Sequence, residues 1–259
     1  MAEVLAPAGK ARARRLFASR GPVPVSPEAE SQPSPRQWLS EMSPPDPLAQ
    51  WASSFGDLSS CWKACREPEW LLWLAARACD SAERRKPVVL CAAEFASVAQ
   101  RSLRDADPRV VRATSLVRVW AESGADDLDL LAAECDALDA ARESEQVADR
   151  AAERALRLFR SAPRRRPGSS GMNRAFGAWQ GWHEAERGRC LALSAALAAR
   201  AAALPDDGTV TTAEWAGCVS ESADFALRAM STRRAAGGRP GWLVMRRCLR
   251  LARRRLTCP

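Results

Sequence analysis

The chain has 259 residues, of which 47% are hydrophobic and 27% charged, and it carries a formal net charge of +8 at pH 7. This length and apolar content allow a substantial buried core, so a wholly disordered polypeptide is excluded. The longest apolar run, residues 70–76, is far shorter than the roughly 20 residues that a bilayer-spanning helix needs, which excludes a transmembrane segment.

The termini and the cysteines indicate the compartment. Prolines rather than an apolar stretch follow the first basic residues, so we predict no secretory signal and a cytoplasmic location. The nine cysteines are dispersed and odd in number, which is typical of reduced, buried thiols. Cys61 and Cys65 lie one helical turn apart, but no Cys-x-x-Cys pair accompanies them and His183 is the only histidine. We therefore predict no metal site and no cofactor.

The first residues of the chain differ in composition from the rest. Residues 1–34 are rich in proline, serine, glycine and charge and follow no helical or strand period, which predicts a disordered leader. From Trp38 onward the patterns are helical, with two short helices on either side of Gly56. Pro68 suits the first turn of the next helix, which we predict to end near Ala78.

The segment EWLLWLAAR, residues 69–77, is apolar on nearly all sides when projected as a helix. Such a helix is expected in the centre of a bundle, although an exposed tryptophan face could also anchor a partner protein. We favour the core interpretation. Trp70, Trp73 and Arg77, which fall on one side, are kept as candidate partner-binding residues.

Three longer helices are predicted before residue 161. The first opens at Pro87, and the second starts behind the cap residue Asp107 and ends at Gly124. The third runs without a breaker over residues 126–161, as one helix or as two with a bend near Ser144. The apolar stripe assigned to its buried face comprises Leu128, Leu131, Cys135, Leu138, Ala148, Ala152, Ala155 and Phe159.

The beginning of this third helix is strongly acidic. The helix dipole is positive at this end and stabilises the negative charges of Asp126, Asp127 and Asp129. The later acidic residues indicate a solvated face or a surface for a basic partner. The candidate partner-binding residues of this strip are Asp126, Asp127, Asp129 and Asp136.

A proline- and glycine-rich stretch, APRRRPGSSG, predicts a linker over residues 162–174. It separates an N-terminal helical region, residues 35–161, from C-terminal helices in residues 175–259 that we expect to pack on the first region. Thr211 and Glu214 have the spacing of a capping box and begin one of these helices. No strand-type alternation occurs, so we predict an all-α fold, either an irregular helical bundle or a short stack of helix pairs.

His183 and Glu186 are three residues apart on one helix and therefore adjacent. A carboxylate beside an imidazole can act as a general acid/base pair, but more often the two form a structural hydrogen bond. The sequence places no nucleophile near them, and nothing beside Cys61 or Cys65 lowers a thiol pKa. We therefore predict no catalytic residue and a protein that is not an enzyme.

The last helix, about residues 242–256, carries its arginines on one side. These are Arg246, Arg247, Arg250, Arg253 and Arg254. One interpretation is an arginine face for phosphates, nucleic acid or an anionic membrane surface. The interpretation that we favour is a solvated outer face matched to the acidic middle helix, because no aromatic residue interleaves the arginines as a stacking platform requires.

A resemblance to a known family covers about residues 51–143. The block CWKACREPEWLLWLAARA is similar to one found in helical proteins of GC-rich bacteria, and the segments CAAEFASVAQ and DPRVVRATSLVRVWAESGADDLDLLAAECDALDAARE resemble the Imm-5-like immunity proteins. The family more often shows Arg-Pro where this chain has Asp107-Pro108-Arg109, and the Trp-Ala segment here is one residue longer before Gly124.

The resemblance implies an all-α, non-enzymatic protein that neutralises a toxin by stoichiometric binding. Inhibitors of nuclease toxins are usually acidic, so this basic chain fits that role only if the acidic middle helix docks the partner. The alternative function is a nucleic-acid or anionic-surface binder that uses the arginines of the last helix.

Overall fold

The computed structural model describes residues 35–103, 105–124, 126–161, 170–205, 209–231, 241–256 and 258. Within these ranges every regular element is an α-helix and no strand occurs, which confirms the predicted all-α class. The described helices belong to one compact unit. The predicted disordered leader, residues 1–34, lies outside the described residues.

Ten helices follow one another in the described part of the chain. They are α1 (Pro35–Ser40), α2 (Asp46–Ala52), α3 (Leu58–Ala64), α4 (Pro68–Arg77), α5 (Ala82–Gln100), α6 (Pro108–Ser123), α7 (Asp127–Ser161), α8 (Ser170–Ala203), α9 (Thr212–Ser231) and α10 (Gly241–Arg255).

Local hydrogen bonds set several helix ends where the sequence predicts them. Asp107 caps α6, since its Oδ1 accepts the backbone N–H of Arg109 at 2.8 Å. Gly124 follows that helix with a φ of 76°, a backbone conformation that residues other than glycine rarely adopt. The capping box before α9 is formed: Thr211 Oγ1 accepts the N–H of Glu214 at 3.2 Å, and Glu214 Oε2 accepts the N–H of Thr211 at 3.0 Å.

Two predicted boundaries are wrong. Helix α5 begins at Ala82 and holds Pro87 inside it, because the residues before the proline are good helix formers and follow Ser81, which is extended. Helix α8 begins at Ser170, so residues 170–174 are helical where the linker was predicted, and residues 162–169 lie outside the described ones. The sequence allowed one helix or two helices with a bend near Ser144, and the structure has one continuous helix, α7.

The core surrounds α4, which packs against α5, α9 and α10. Leu71, Leu72 and Leu74 are fully buried, so EWLLWLAAR is a core helix, as the sequence favoured. Phe95 from α5 and Trp215 from α9 are the bulkiest fully buried side chains in the same cluster. Burial of these large apolar groups provides most of the driving force for folding.

Helices α7 and α8 form the most extensive helix pair, an antiparallel hairpin. At 1.5 Å per residue, a helix of 35 residues is about 52 Å long. Helix α6 reaches α7 as far as Glu143, and beyond that point α8 is the helix that covers α7. We call residues 145–161 of α7 with residues 170–182 of α8 the arm. Its buried side chains on the α7 side are Ala148 and Ala155.

Candidate functional site

The tryptophan face of α4 is turned inward. Trp73 is only 7% exposed, and the guanidinium of Arg77 lies over its ring at 5.4 Å from the centroid. Trp70 is half-buried, and its ring packs against Trp51 at 5.3 Å. The prediction that Trp73 contacts a partner is therefore corrected: Trp73 belongs to the core, and Arg77 covers it.

The buried face of α7 agrees only in part with the predicted stripe, because Ala148 and Ala155 are buried as predicted whereas the first residues of the stripe are not. Its buried residues beside Leu130 are alanines, whereas Leu128 is 73% exposed, Leu131 is 45% exposed and Cys135 is also exposed. Small side chains let α7 approach its neighbours closely, and a Cβ built on Gly188 of α8 would lie 3.3 Å from Ser144 Oγ. Helix α7 therefore has a buried alanine face and an exposed leucine face.

The aspartates at the start of α7 surround this leucine face. Asp126 is a helix cap, because its Oδ1 accepts the N–H of Leu128 at 3.0 Å. Asp127 and Asp129 are exposed in the first turn and form no ion pair within the described part of the chain. We call Asp127, Leu128, Asp129 and Leu131 the acidic leucine surface.

Two later acidic residues of α7, Asp136 and Glu143, pair with arginines of α6. Arg112 lies 3.5 Å from Asp136, and both Nη atoms of Arg109 donate to Glu143, at 2.9 and 2.6 Å. These hydrogen bonds lower the pKa of the Glu143 carboxyl. Asp136, a predicted partner residue, is thus half-buried and paired. The interpretation that the last helix matches the acidic helix is wrong, because the matching arginines belong to α6.

The arginines of α10 divide into two groups. Arg253 has a structural role, since its Nη2 donates to the carbonyl oxygens of Lys63 and Cys65 at 2.9 and 2.8 Å. Arg255, which is not among the predicted anion-binding residues, pairs with Glu94 at 2.7 Å. The remaining predicted anion-binding residues, all exposed, are Arg246, Arg247, Arg250 and Arg254.

Arg247 adds to a cluster of positive charge that the sequence did not reveal. The pKa of Arg101, which follows α5, is lowered by partial burial and by the charges of Arg247 and of Arg118 on α6. Three helices therefore bring like charges together at this surface. Arg101 and Arg118 are distant from α10 in sequence, so only the packing of α5, α6 and α10 reveals the cluster.

The predicted pair of His183 and Glu186 is not formed. Glu186 accepts two hydrogen bonds from Arg189, at 3.0 and 2.9 Å, because a guanidinium matches a carboxylate at two points. His183 lies against Trp179 and Trp182, and its ring nitrogens have no hydrogen-bond partner among the described residues. Burial lowers the pKa of the imidazole, which favours its neutral form.

Cys61 of α3 and Cys65, which follows that helix directly, are free and buried thiols. Burial raises the pKa of Cys61 to about 12 and that of Cys65 to about 11, so both remain protonated at neutral pH. Across the described ranges, no three His, Cys, Asp or Glu side chains are grouped as a metal ion would require. These thiols contribute packing within the core.

No helix in the described ranges is both long enough and apolar enough to cross a membrane. Comparison of the chain with models of protein families, with curated proteins and with solved structures found no match. The Imm-5-like resemblance therefore stays a prediction.

Proposed function

We propose that the protein is a binding module that docks a basic protein partner on the acidic leucine surface of α7. The observation that carries this proposal is the choice of buried face: α7 packs its alanines inward and leaves Leu128 and Leu131 outside. Leu128 and Leu131 are neighbours on the helix and form an exposed apolar patch with a charged rim, which a partner protein can cover.

The energetics of this surface favour association. Complete burial of a leucine side chain against a partner contributes about 1.5 to 3 kcal/mol. Asp127 and Asp129 add a negative field that attracts a basic partner and accelerates encounter. The two effects together provide both affinity and a preference for partners of positive charge.

The resemblance to the Imm-5-like proteins supports a specific form of this function, the neutralisation of a toxin by stoichiometric binding. In that form, the acidic leucine surface covers the basic substrate site of the toxin. The acidic start of α7 gives a chain of net charge +8 a local surface of the required sign. The partner proposed is then the product of a neighbouring gene.

A binding experiment with that purified gene product tests the proposal. We expect Leu128→Ser with Leu131→Ser, and separately Asp127→Asn with Asp129→Asn, to raise the Kd about tenfold or more, since each pair removes one attractive component. The matched control is Val147→Ser, which changes another exposed apolar residue of α7 and should leave the Kd unchanged. Unchanged affinity in both double variants, with helicity intact by circular dichroism, would remove this surface from consideration.

A second candidate function is binding of an anionic ligand by the exposed arginines of α10. The convergence of Arg101, Arg118 and Arg247 favours it, because like charges held together gain most from a shared counter-ion. For a labelled DNA duplex, we expect a salt-dependent complex. Replacing Arg247, Arg250 and Arg254 by glutamine should make the slope of log K against log salt shallower by about 0.9 for each lost phosphate contact. A mobility-shift titration without any complex at low salt would contradict this candidate.

A further inference from the structure

The arm carries a groove between its two helices that belongs to neither surface described above. It encloses about 470 Å³. Arg150 and Arg154 form the wall on the α7 side, and Arg174 lies on the α8 side. Gly177 and Gly181 line it between these walls, and no acidic side chain is among the described lining residues.

The positive charge of this groove is not balanced locally. Arg150 Nε donates to the carbonyl oxygen of Gln146 at 3.0 Å. No carboxylate among the described residues forms an ion pair with the Arg150 guanidinium. Arg154 and Arg174 are exposed and form no ion pair with any described residue. Arg157 and Arg160 add positive charge to the same end of α7, where the acidic residues are Asp149 and Glu153. An arrangement of this kind attracts anions strongly, since a concave surface concentrates the field of its lining charges.

The two glycines have no role in the packing of the described chain. A Cβ built on Gly177 or on Gly181 would meet no atom within 4 Å. A glycine inside a helix is less favourable than alanine, because it loses more conformational freedom on folding. Their use here keeps the groove open and lets a bound group approach the backbone of α8.

We propose that this groove binds the phosphodiester backbone of a single-stranded nucleic acid. Arg150 and Arg154 are separated by about 6 Å along the helix, so each can pair with a different phosphate of an extended strand, while Arg174 contacts the strand from the opposite wall. A strand with one charge on every residue matches this density of arginines.

The spacing of the arginines favours a flexible polyanion. A single strand can bend so that successive phosphates reach Arg150, Arg154 and Arg174, which line the groove from both helices. No aromatic side chain among the described residues lines the groove, so base stacking contributes nothing to the affinity here. The strand is held by its phosphates alone, without preference for sequence.

Fluorescence anisotropy with the full chain and a labelled oligothymidylate of about 12 nucleotides tests this site. We expect the wild-type complex to weaken steeply with salt. The variant Arg150→Gln with Arg154→Gln and Arg174→Gln should bind about tenfold more weakly or worse, with a slope shallower by about 0.7 for each lost phosphate contact. The matched control makes the same change of charge on α1 and around the end of α3, outside the groove and outside α10, with Arg36→Gln, Lys63→Gln and Arg66→Gln. It should bind within about twofold of wild type.

A charge-neutral variant separates the groove from the overall charge of the protein. Gly177→Ala with Gly181→Ala fills the floor with two methyl groups that meet no neighbour. We expect a higher Tm, because alanine favours the helix, together with affinity for the oligonucleotide reduced about tenfold.

Four results would overturn the proposal. They are wild-type affinity in the arginine variant, wild-type affinity in the glycine variant, an equal loss in the control with Arg36, Lys63 and Arg66 replaced, and equal affinity for polyglutamate or for phosphatidylserine vesicles. The last result would assign the groove to an acidic peptide or to a membrane. The acidic leucine surface lies at the other end of α7, so failure here leaves the proposed docking function intact, and failure there leaves the groove intact.

Discussion

Replacing Trp215 by alanine is expected to reduce the free energy of unfolding by about 3 to 5 kcal/mol, the range for deleting a large buried aromatic side chain. Trp215 is 1% exposed on α9, and its indole Nε1 donates to the carbonyl oxygen of Ala201 on α8 at 3.1 Å. The substitution opens a cavity where α8 and α9 meet and removes that hydrogen bond. Chemical denaturation monitored by circular dichroism measures the loss.

The variant Trp215→Phe serves as the matched control. It keeps most of the ring volume but loses the donor, so its cost should be about 1 to 2 kcal/mol. A loss below about 1 kcal/mol in Trp215→Ala would contradict the close packing of α8 on α9.

Replacing Arg187 by methionine is expected to cost about 2 to 4 kcal/mol and to lower the Tm by roughly 5 to 15 °C. Arg187 is a buried charge on α8, 8% exposed. Its Nε donates to the carbonyl oxygen of Ala229 at 2.8 Å, and its Nη2 donates to the carbonyl oxygen and the Oγ of Ser102 at 3.1 and 2.8 Å. Both partners lie where a helix ends, near the negative ends of α9 and α5, so the guanidinium holds three helices together.

Methionine preserves the apolar stem of Arg187 and leaves these carbonyl groups without their donor. Thermal unfolding provides the measurement. The variant Arg200→Met, at an exposed position of the same helix, should change the free energy of unfolding by less than about 0.5 kcal/mol. Equal effects of the two substitutions would show that the buried hydrogen bonds of Arg187 contribute no stability.

Helix ends were the most predictable features of this chain because their causes are local. The cap of Asp107 and the box of Thr211 and Glu214 depend on hydrogen bonds that span no more than three residues. The all-α class followed from periodicity that persists through most of the described chain. Pro87 shows where local signals fail, since a proline that can begin a helix lies inside one here.

The buried face of α7 could not be predicted from hydrophobicity. Leu128 and Leu131 exceed every alanine of the helix in apolar area, so a ranking by hydrophobicity places them inside. The structure instead buries Leu130 together with the alanines, and near Ser144 a Cβ built on Gly188 of α8 would already lie 3.3 Å from the Ser144 Oγ. A regular spacing of alanines at positions 133, 137 and 140 was the signal that could have identified this face.

The candidate sites depend still more on tertiary structure. Arg154 and Arg174 are twenty positions apart in the sequence and meet only because α7 and α8 are antiparallel. His183 and Arg189 each lie three residues from Glu186. Arg189 was predictable as the partner of Glu186, because a guanidinium can donate two hydrogen bonds to one carboxylate. The charges on α10 were visible in the sequence, whereas the structural role of Arg253 was not.

The length of α7 sets the distance between the acidic leucine surface and the groove of the arm. Leu128 and Arg154 are separated by roughly 40 Å along the helix axis. That separation is about four Debye lengths at 0.1 M salt, so charge brought to one end is screened from the other. Under the two proposals, ligands of opposite sign would therefore occupy the acidic leucine surface and the groove at the same time without competing.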